Sequence, residues 1–287
     1  MKIIITGADG QLGRAFLELL FNSPNDVYEV FPYSKEKLDI TDAARVEAVC
    51  AEIMPDIIVN CAAFTKVDLC EIEIEKAYLV NSLGAYHLGK SANRYDAKLV
   101  HISTDYVFSG EQTEPYKEND APNPKTIYGK SKLLGEELLL KKFENVLIVR
   151  TAWLYGHGSP NFVYTMMNLA EKNGVVKVVN DQIGSPSYTM DVAEGVLSLL
   201  KADRTGIYHI TNEGSCSWYD FSKEIMRNLK VDKEVISISS EEYEFATPRP
   251  GYSVLDNQKL NREGICLRDW QSALVNFMTK EYTNRDN

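Results

Sequence analysis

The first thirteen residues narrow the possible folds more than any other stretch. Lys2 to Thr6 is a β-branched apolar run, and Gly7-Ala8-Asp9-Gly10-Gln11-Leu12-Gly13 follows it directly. Leu12, Ala15, Phe16, Leu19 and Leu20 then repeat at helical spacing. A strand, a G-x-x-G-x-x-G turn and a helix are the context in which a pyrophosphate approaches the N–H groups of a helix terminus. An ordinary β–α turn is the plainer alternative. The placement of the motif favours dinucleotide binding by Gly7, Gly10, Gln11, Leu12 and Gly13.

Strands and helices alternate as far as residue 151. The pattern predicts further strands at 27–33, 56–60, 98–103 and 145–151. Helices are expected from a Thr41 or Asp42 cap to Ile53, from Glu71 to Arg94, and from Tyr128 to Lys142. This alternation predicts the α/β class, a Rossmann-type doubly wound parallel sheet with its ligand site at the carboxyl ends of the strands. Gly7, Ala62, Thr104 and Trp153 all fall at such ends. Cys61, Ala62 and Ala63, continuing into Phe64 and Thr65, are small enough at first to let a cofactor lie against the backbone.

The second strand ends in Tyr33-Ser34-Lys35 rather than a carboxylate. Asp39, beside Ile40, is the nearest acid for an adenosine ribose, and Lys35 or Lys37 would accept a 2′-phosphate. NADH and NADPH are both left open. The later chain is less regular, with helices expected over 162–172, from Thr189 or Asp191 to Leu200, and over 218–229. Extended segments are expected at 175–179 and 206–210. Residues 1–152, rejoined by 186–212, are expected to form the dinucleotide-binding domain. Residues 153–185 and 213–287 would form a smaller, irregular α/β substrate lobe.

Tyr128 and Lys132 lie four apart, on one face of a helix. An ammonium beside a phenol favours the phenolate and brings a tyrosine towards working pH as a proton donor or acceptor. Thr104, after Ser103, can supply a hydroxyl to the same oxygen. Y-x-x-x-K also occurs by chance on surface helices, so the pair gains weight only from its surroundings. Asn81 faces inward, either satisfied by backbone or as part of a site network. Arg249, in Thr247-Pro248-Arg249-Pro250-Gly251, is either solvated on a stiff loop or a clamp for a substrate phosphate.

The 287-residue chain is 44% hydrophobic and carries a net charge of −10, which argues against a nucleic-acid-binding surface. No stretch approaches the ~20 apolar residues of a membrane span. Five scattered cysteines and four dispersed histidines offer no metal-ligand spacing. No metal is expected, and the unpaired cysteine count suggests reduced thiols in a cytoplasm.

With Gly7 to Gly13, Thr104 and Tyr128-x-x-x-Lys132 in order, the chain resembles the extended short-chain dehydrogenase/reductases. Among these it is most similar to the dTDP-4-dehydrorhamnose reductase family. Leu38-Asp39-Ile40-Thr41, the run from Asn60 to Asp68, Ser103-Thr104-Asp105-Tyr106-Val107-Phe108, Trp153-Leu154-Tyr155-Gly156, the Asn180-Asp181-Gln182-x-Gly184-x-Pro186 loop and Arg249-Pro250 carry the closer match. The resemblance implies NADPH- or NADH-dependent reduction at C4 of a dTDP-4-keto-hexose to dTDP-L-rhamnose. Tyr128 would be proton donor, supported by Lys132. Thr104 and Asp105 would hold sugar oxygens, with Trp153 against the sugar. Related dehydratases carry Thr-Asp-Glu, and Tyr106 in the third position removes the acid that helps expel water. Some members dimerise through a magnesium held by glutamates. Here the first helix offers only Glu18, and Met190 and Asp191 stand where another acid is expected, so no metal is carried over and a homodimer is left open. A reductase or epimerase of another nucleotide sugar is the alternative. A non-catalytic nucleotide-binding subunit, as in a related regulatory subunit of methionine adenosyltransferase, is a third.

Overall fold

The computed structural model describes residues 1–22, 28–172, 174–243 and 245–285. Its first half runs β1 (Lys2–Thr6), α1 (Gln11–Phe21), β2 (Glu29–Tyr33), α2 (Ala43–Ile53), β3 (Ile57–Asn60), α3 (Val67–Ile72), α4 (Ile74–Tyr78), α5 (Ala85–Arg94), β4 (Lys98–Thr104), α6 (Ile127–Lys142) and β5 (Val146–Thr151). The second half adds β6 (Leu154–Tyr155), α7 (Phe162–Ala170), β7 (Val176–Val179), β8 (Ile183–Gly184), β9 (Ser187–Tyr188), α8 (Thr189–Lys201) and β10 (Gly206–His209). It closes with β11 (Cys216–Ser217), α9 (Trp218–Leu229), β12 (Val235–Ile238), α10 (Ser240–Tyr243), α11 (Gln258–Arg262) and α12 (Trp270–Arg285). Val27, expected in the second strand, lies outside the described residues.

Six strands form one sheet in the order β10-β5-β4-β3-β1-β2, and every pairing in it is parallel. The fold is therefore the doubly wound α/β sheet that the alternation predicts. β3 and β5 are buried along their whole length, because helices cover both faces. Ile3 and Ile5 pack towards α1 and α8, among Phe16, Val192 and Val196. Ile4 points the other way, towards Val46, Val49 and Leu88 of α2 and α5. β10 joins the sheet edge beside β5 after the irregular segments. No helix among the described residues is long and apolar enough to cross a membrane.

Two local expectations change, and a third resolves between its two alternatives. The long helix expected over 71–94 is interrupted by α4 and by a π-helical stretch at Leu79–Gly84. Asn81 sits in that stretch and clamps the peptide of Phe64, accepting from its N–H at 2.8 Å and donating to its carbonyl at 3.1 Å. Wide turns of this kind concentrate where a side chain has to be re-aimed. At α2, Asp42 rather than Thr41 is the cap, its Oδ1 accepting from Arg45 N at 2.9 Å. At α8 neither Thr189 nor Asp191 caps the helix, whose cap residue is Tyr188. Asp191 turns inward instead, to Asn212 Nδ2 at 2.6 Å and to the Arg268 guanidinium.

Candidate active site

A cleft of about 510 Å³ opens at the carboxyl ends of the sheet strands. Gly7, Gly10, Gln11, Leu12 and Gly13 line one wall, with Ala63 and Thr65. Thr104, Asp105, Tyr128 and Lys132 line it deeper, and Trp153 and Arg249 lie on it from the later chain. The structure thus brings together residues from opposite ends of the sequence. Asp39, Ile40, Ala62 and Phe64 are not on this lining. Asp39 Oδ1 accepts from Thr41 N and Oγ1 at 2.9 and 2.7 Å, and the backbone bond holds its carboxyl below the ordinary value. Ile40 is buried, and its carbonyl is 3.1 Å from His87 Nδ1. Ala62 is tied to Asn60 and Phe64 to Asn81, so these two back the wall.

The glycine wall has the chemistry of an anion cradle. Gly7 has φ +65°, and a Cβ there would stand 2.7 Å from the backbone of Cys61 and Ala62. At the start of α1, Gly10 offers no side-chain cap and the first turn holds no acid, so its N–H groups face the cleft uncovered. Gln11 donates to Leu154 O at 3.2 Å, while its buried Oε1 has no partner. These features fit a dinucleotide pyrophosphate.

Tyr128 enters at the first turn of α6, where Thr126 Oγ1 accepts from Gly129 N at 3.0 Å. Burial pushes its phenol well up from 10.0, and the Thr104 hydroxyl works against that shift. Lys132 is not among the leading influences on the phenol. Lys132 Nζ turns to β4, 2.5 Å from Ile102 O and 3.1 Å from His101 Nε2. Burial pulls Lys132 down to about 8.

Thr104 accepts from Tyr106 N at 3.3 Å and donates to Asp105 Oδ1 at 2.9 Å. Asp105 is 3% exposed, and its Oδ2 has no partner. Burial raises its carboxyl to about 6, against hydrogen bonds from Ser253 and Thr104. Tyr106 meets Tyr128 edge-on, with ring centroids 5.4 Å apart.

Arg249 and Trp153 reach the cleft already engaged with protein partners. Arg249 Nη2 already donates to both Asp68 oxygens at 2.9 Å, so the guanidinium is not a free phosphate clamp. Its Nη1 is buried without a partner. Trp153, with φ +46°, stacks on Trp218 at 3.4 Å between centroids and 4° between planes. Its ring also presses on Gly184, where a Cβ would come within 2.3 Å. Trp218 thus covers one face of the Trp153 ring, and Gly184 lies against its Nε1, Cε2 and Cζ2 atoms. Trp218, Gln182 and Ser253 also line the cleft and were not anticipated as site residues. Gln182 at least stood within a recognisable loop, whereas Trp218 follows a helix cap and carries no local signal.

The family model described as "RmlD substrate binding domain" matches residues 1–283. The spore coat polysaccharide biosynthesis protein SpsK of Bacillus subtilis is 48% identical, over 96% of each chain. The crystal structure of a dTDP-4-dehydrorhamnose reductase from Clostridium acetobutylicum superposes with a TM-score of 0.95 at 42% identity, covering 98% of this chain and 100% of that one. That of a dTDP-4-dehydrorhamnose reductase from Bacillus anthracis, in complex with NADP, gives 0.93 at 40%, covering 97% and 99%.

Proposed function

The chain belongs to the RmlD substrate-binding-domain family, and from that premise we propose that it reduces the C4 ketone of dTDP-4-dehydro-L-rhamnose to dTDP-L-rhamnose with NADPH or NADH. The observation that carries this reading is the meeting of Tyr128, Thr104 and Lys132 with the glycine turn in one cleft. The dinucleotide, held by the 7–13 turn, supplies the hydride to C4 when bound. Tyr128 gives its proton to the ketone oxygen as the C–H bond forms, leaving an alcohol and a phenolate. Its raised pKa keeps it protonated at neutral pH, the state a donor needs. Thr104 steadies the same oxygen, and the open Oδ2 of Asp105 accepts from a sugar hydroxyl.

Residues 1–152 with 186–212 act as the cofactor-holding part, a division supported by the return of β10 to the sheet. Residues 153–185 and 213–287 supply the substrate side. The dTDP-sugar is the partner, and a cytoplasmic setting fits the five free cysteines. Absorbance of NADPH or NADH in the presence of the 4-keto nucleotide sugar tests the activity. Tyr128→Phe is expected to lower turnover by on the order of 10²–10⁴ while sparing cofactor binding. An unchanged rate would remove Tyr128 from the reaction.

A further inference from the structure

Beneath Lys132 runs a buried row of polar groups that the proposed reaction does not use. The backbone N–H of Ala62 has a fixed polarity and donates to Asn60 Oδ1 at 3.1 Å. Thr6 Oγ1 donates to the same oxygen at 2.8 Å. Asn60 Nδ2, which can only donate, therefore faces His101 Nδ1 at 3.0 Å. Nδ1 must accept, so a neutral imidazole carries its proton on Nε2. The imidazole is neutral, because its own burial pushes its pKa far down. Turning the Asn60 amide over would only set its NH2 against the Ala62 N–H.

His101 Nε2–H thus points at Lys132 Nζ, 3.1 Å away. An ammonium has three donors and no acceptor, so donor would meet donor. A neutral amine has a lone pair for His101, one N–H for Ile102 O and one for a ligand in the cleft. We infer that His101 is a positioning residue whose Nε2–H, fixed through Asn60, favours the neutral amine of Lys132 in the cofactor-free protein.

The other groups facing Lys132 are largely occupied elsewhere, although Glu136 and Cys61 pull its proton affinity back up. Cys61, after β3, is pushed up to about 12 and stays a thiol. Tyr128 stays a phenol. Glu136, one turn along α6, is engaged by Arg150 at 2.6 Å and by Ser103. Burial, working against the charges of Glu136 and Cys61, brings Lys132 to about 8, where the neutral form is about a tenth of the population at pH 7. The His101 donor extends it. The catalytic consequence rests on the reductase reading: the smaller the ammonium fraction at Lys132, the weaker its pull on the Tyr128 proton before substrate arrives.

Long-range 1H–15N spectra of the 15N-labelled full chain, without cofactor and at about pH 8, read the tautomer directly. Single substitutions assign the four histidines. The expected result is a bare Nδ1 and a protonated Nε2 on His101. An Nδ1–H tautomer or an imidazolium overturns the inference. Asn60→Asp replaces the donor facing Nδ1 with an acceptor. It is expected to reverse the tautomer and raise the Lys132 titration midpoint, followed by 13Cε NMR, by about one unit. A rise without tautomer reversal assigns the change to charge alone and overturns the coupling, as does no rise. Neither readout depends on turnover. The predicted tautomer in a chain that oxidises no NAD(P)H keeps this inference and removes the reductase reading, and the opposite pair of results does the reverse.

Discussion

Lys132 and Glu136 sit one turn apart on the same face of α6, and each is 1% exposed. Glu136 is fully engaged. Arg150 Nε reaches both its oxygens at 3.0 and 3.1 Å, Nη2 reaches one at 2.6 Å, and Ser103 donates a hydroxyl. The guanidinium in turn lies 5.0 Å over the Phe108 ring. Lys132 has a carbonyl and an imidazole, and it forms no ion pair among the described residues. The difference in pairing goes with a difference in place: Lys132 lines the cleft and Glu136 does not. A buried charge that is completely paired holds elements together. A titratable group left under-paired at a cleft wall is held in reserve for a ligand.

Breaking the satisfied member should do the most damage. Arg150→Met leaves Glu136 buried without its cation and is expected to cost about 3–5 kcal/mol, read as a lower midpoint in chemical denaturation. A loss under about 1 kcal/mol would mean the pair is not structural. Asp105 sharpens the contrast, being a buried carboxyl beside the cleft with one oxygen open. Its folded value of about 6 lies above the ordinary 3.8, so the folded state holds its proton more tightly. The stability tied to that proton is present below 3.8 and lost as pH rises through about 6. Asp105→Asn should therefore gain on the parent across that window, by at most about 3 kcal/mol, in denaturation followed against pH. A pH-independent difference would contradict the raised carboxyl.

Lys132→Met tests the reserve member. Turnover is expected to fall by on the order of 10², while folding stability stays within about 1 kcal/mol or rises, since burial disfavours the cation. Collapse of the fold with turnover per folded molecule intact would exchange the two roles. Ser103→Ala, which removes one donor from Glu136, is expected to cost about 1.5 kcal/mol and to leave KM for the nucleotide sugar unchanged.

The parallel sheet, the turn from Gly7 to Gly13 and the shared face of Tyr128 and Lys132 were legible because each is written in neighbours a few residues apart. Periods of two and of 3.6 are local quantities. The contacts that redefine the site are not local. Arg249 meets Asp68 across 181 residues, and the Trp153–Trp218 stack joins β6's approach to the start of α9. Nothing in either segment announces its partner. The π-helical stretch at Leu79–Gly84 was likewise unreadable, since it exists to hold Asn81 against Phe64.

By itself, the order of residues determined which segments are strands and helices, where the glycine turn lies and which side chains share a helix face. Those follow from steric preferences and from the burial of apolar stripes. Only the folded molecule decided which of those polar groups are charged, which are paired and which are left waiting. Proton affinity depends on how far water is excluded and on what stands within a few ångströms, and both are set by chain segments that meet only in three dimensions.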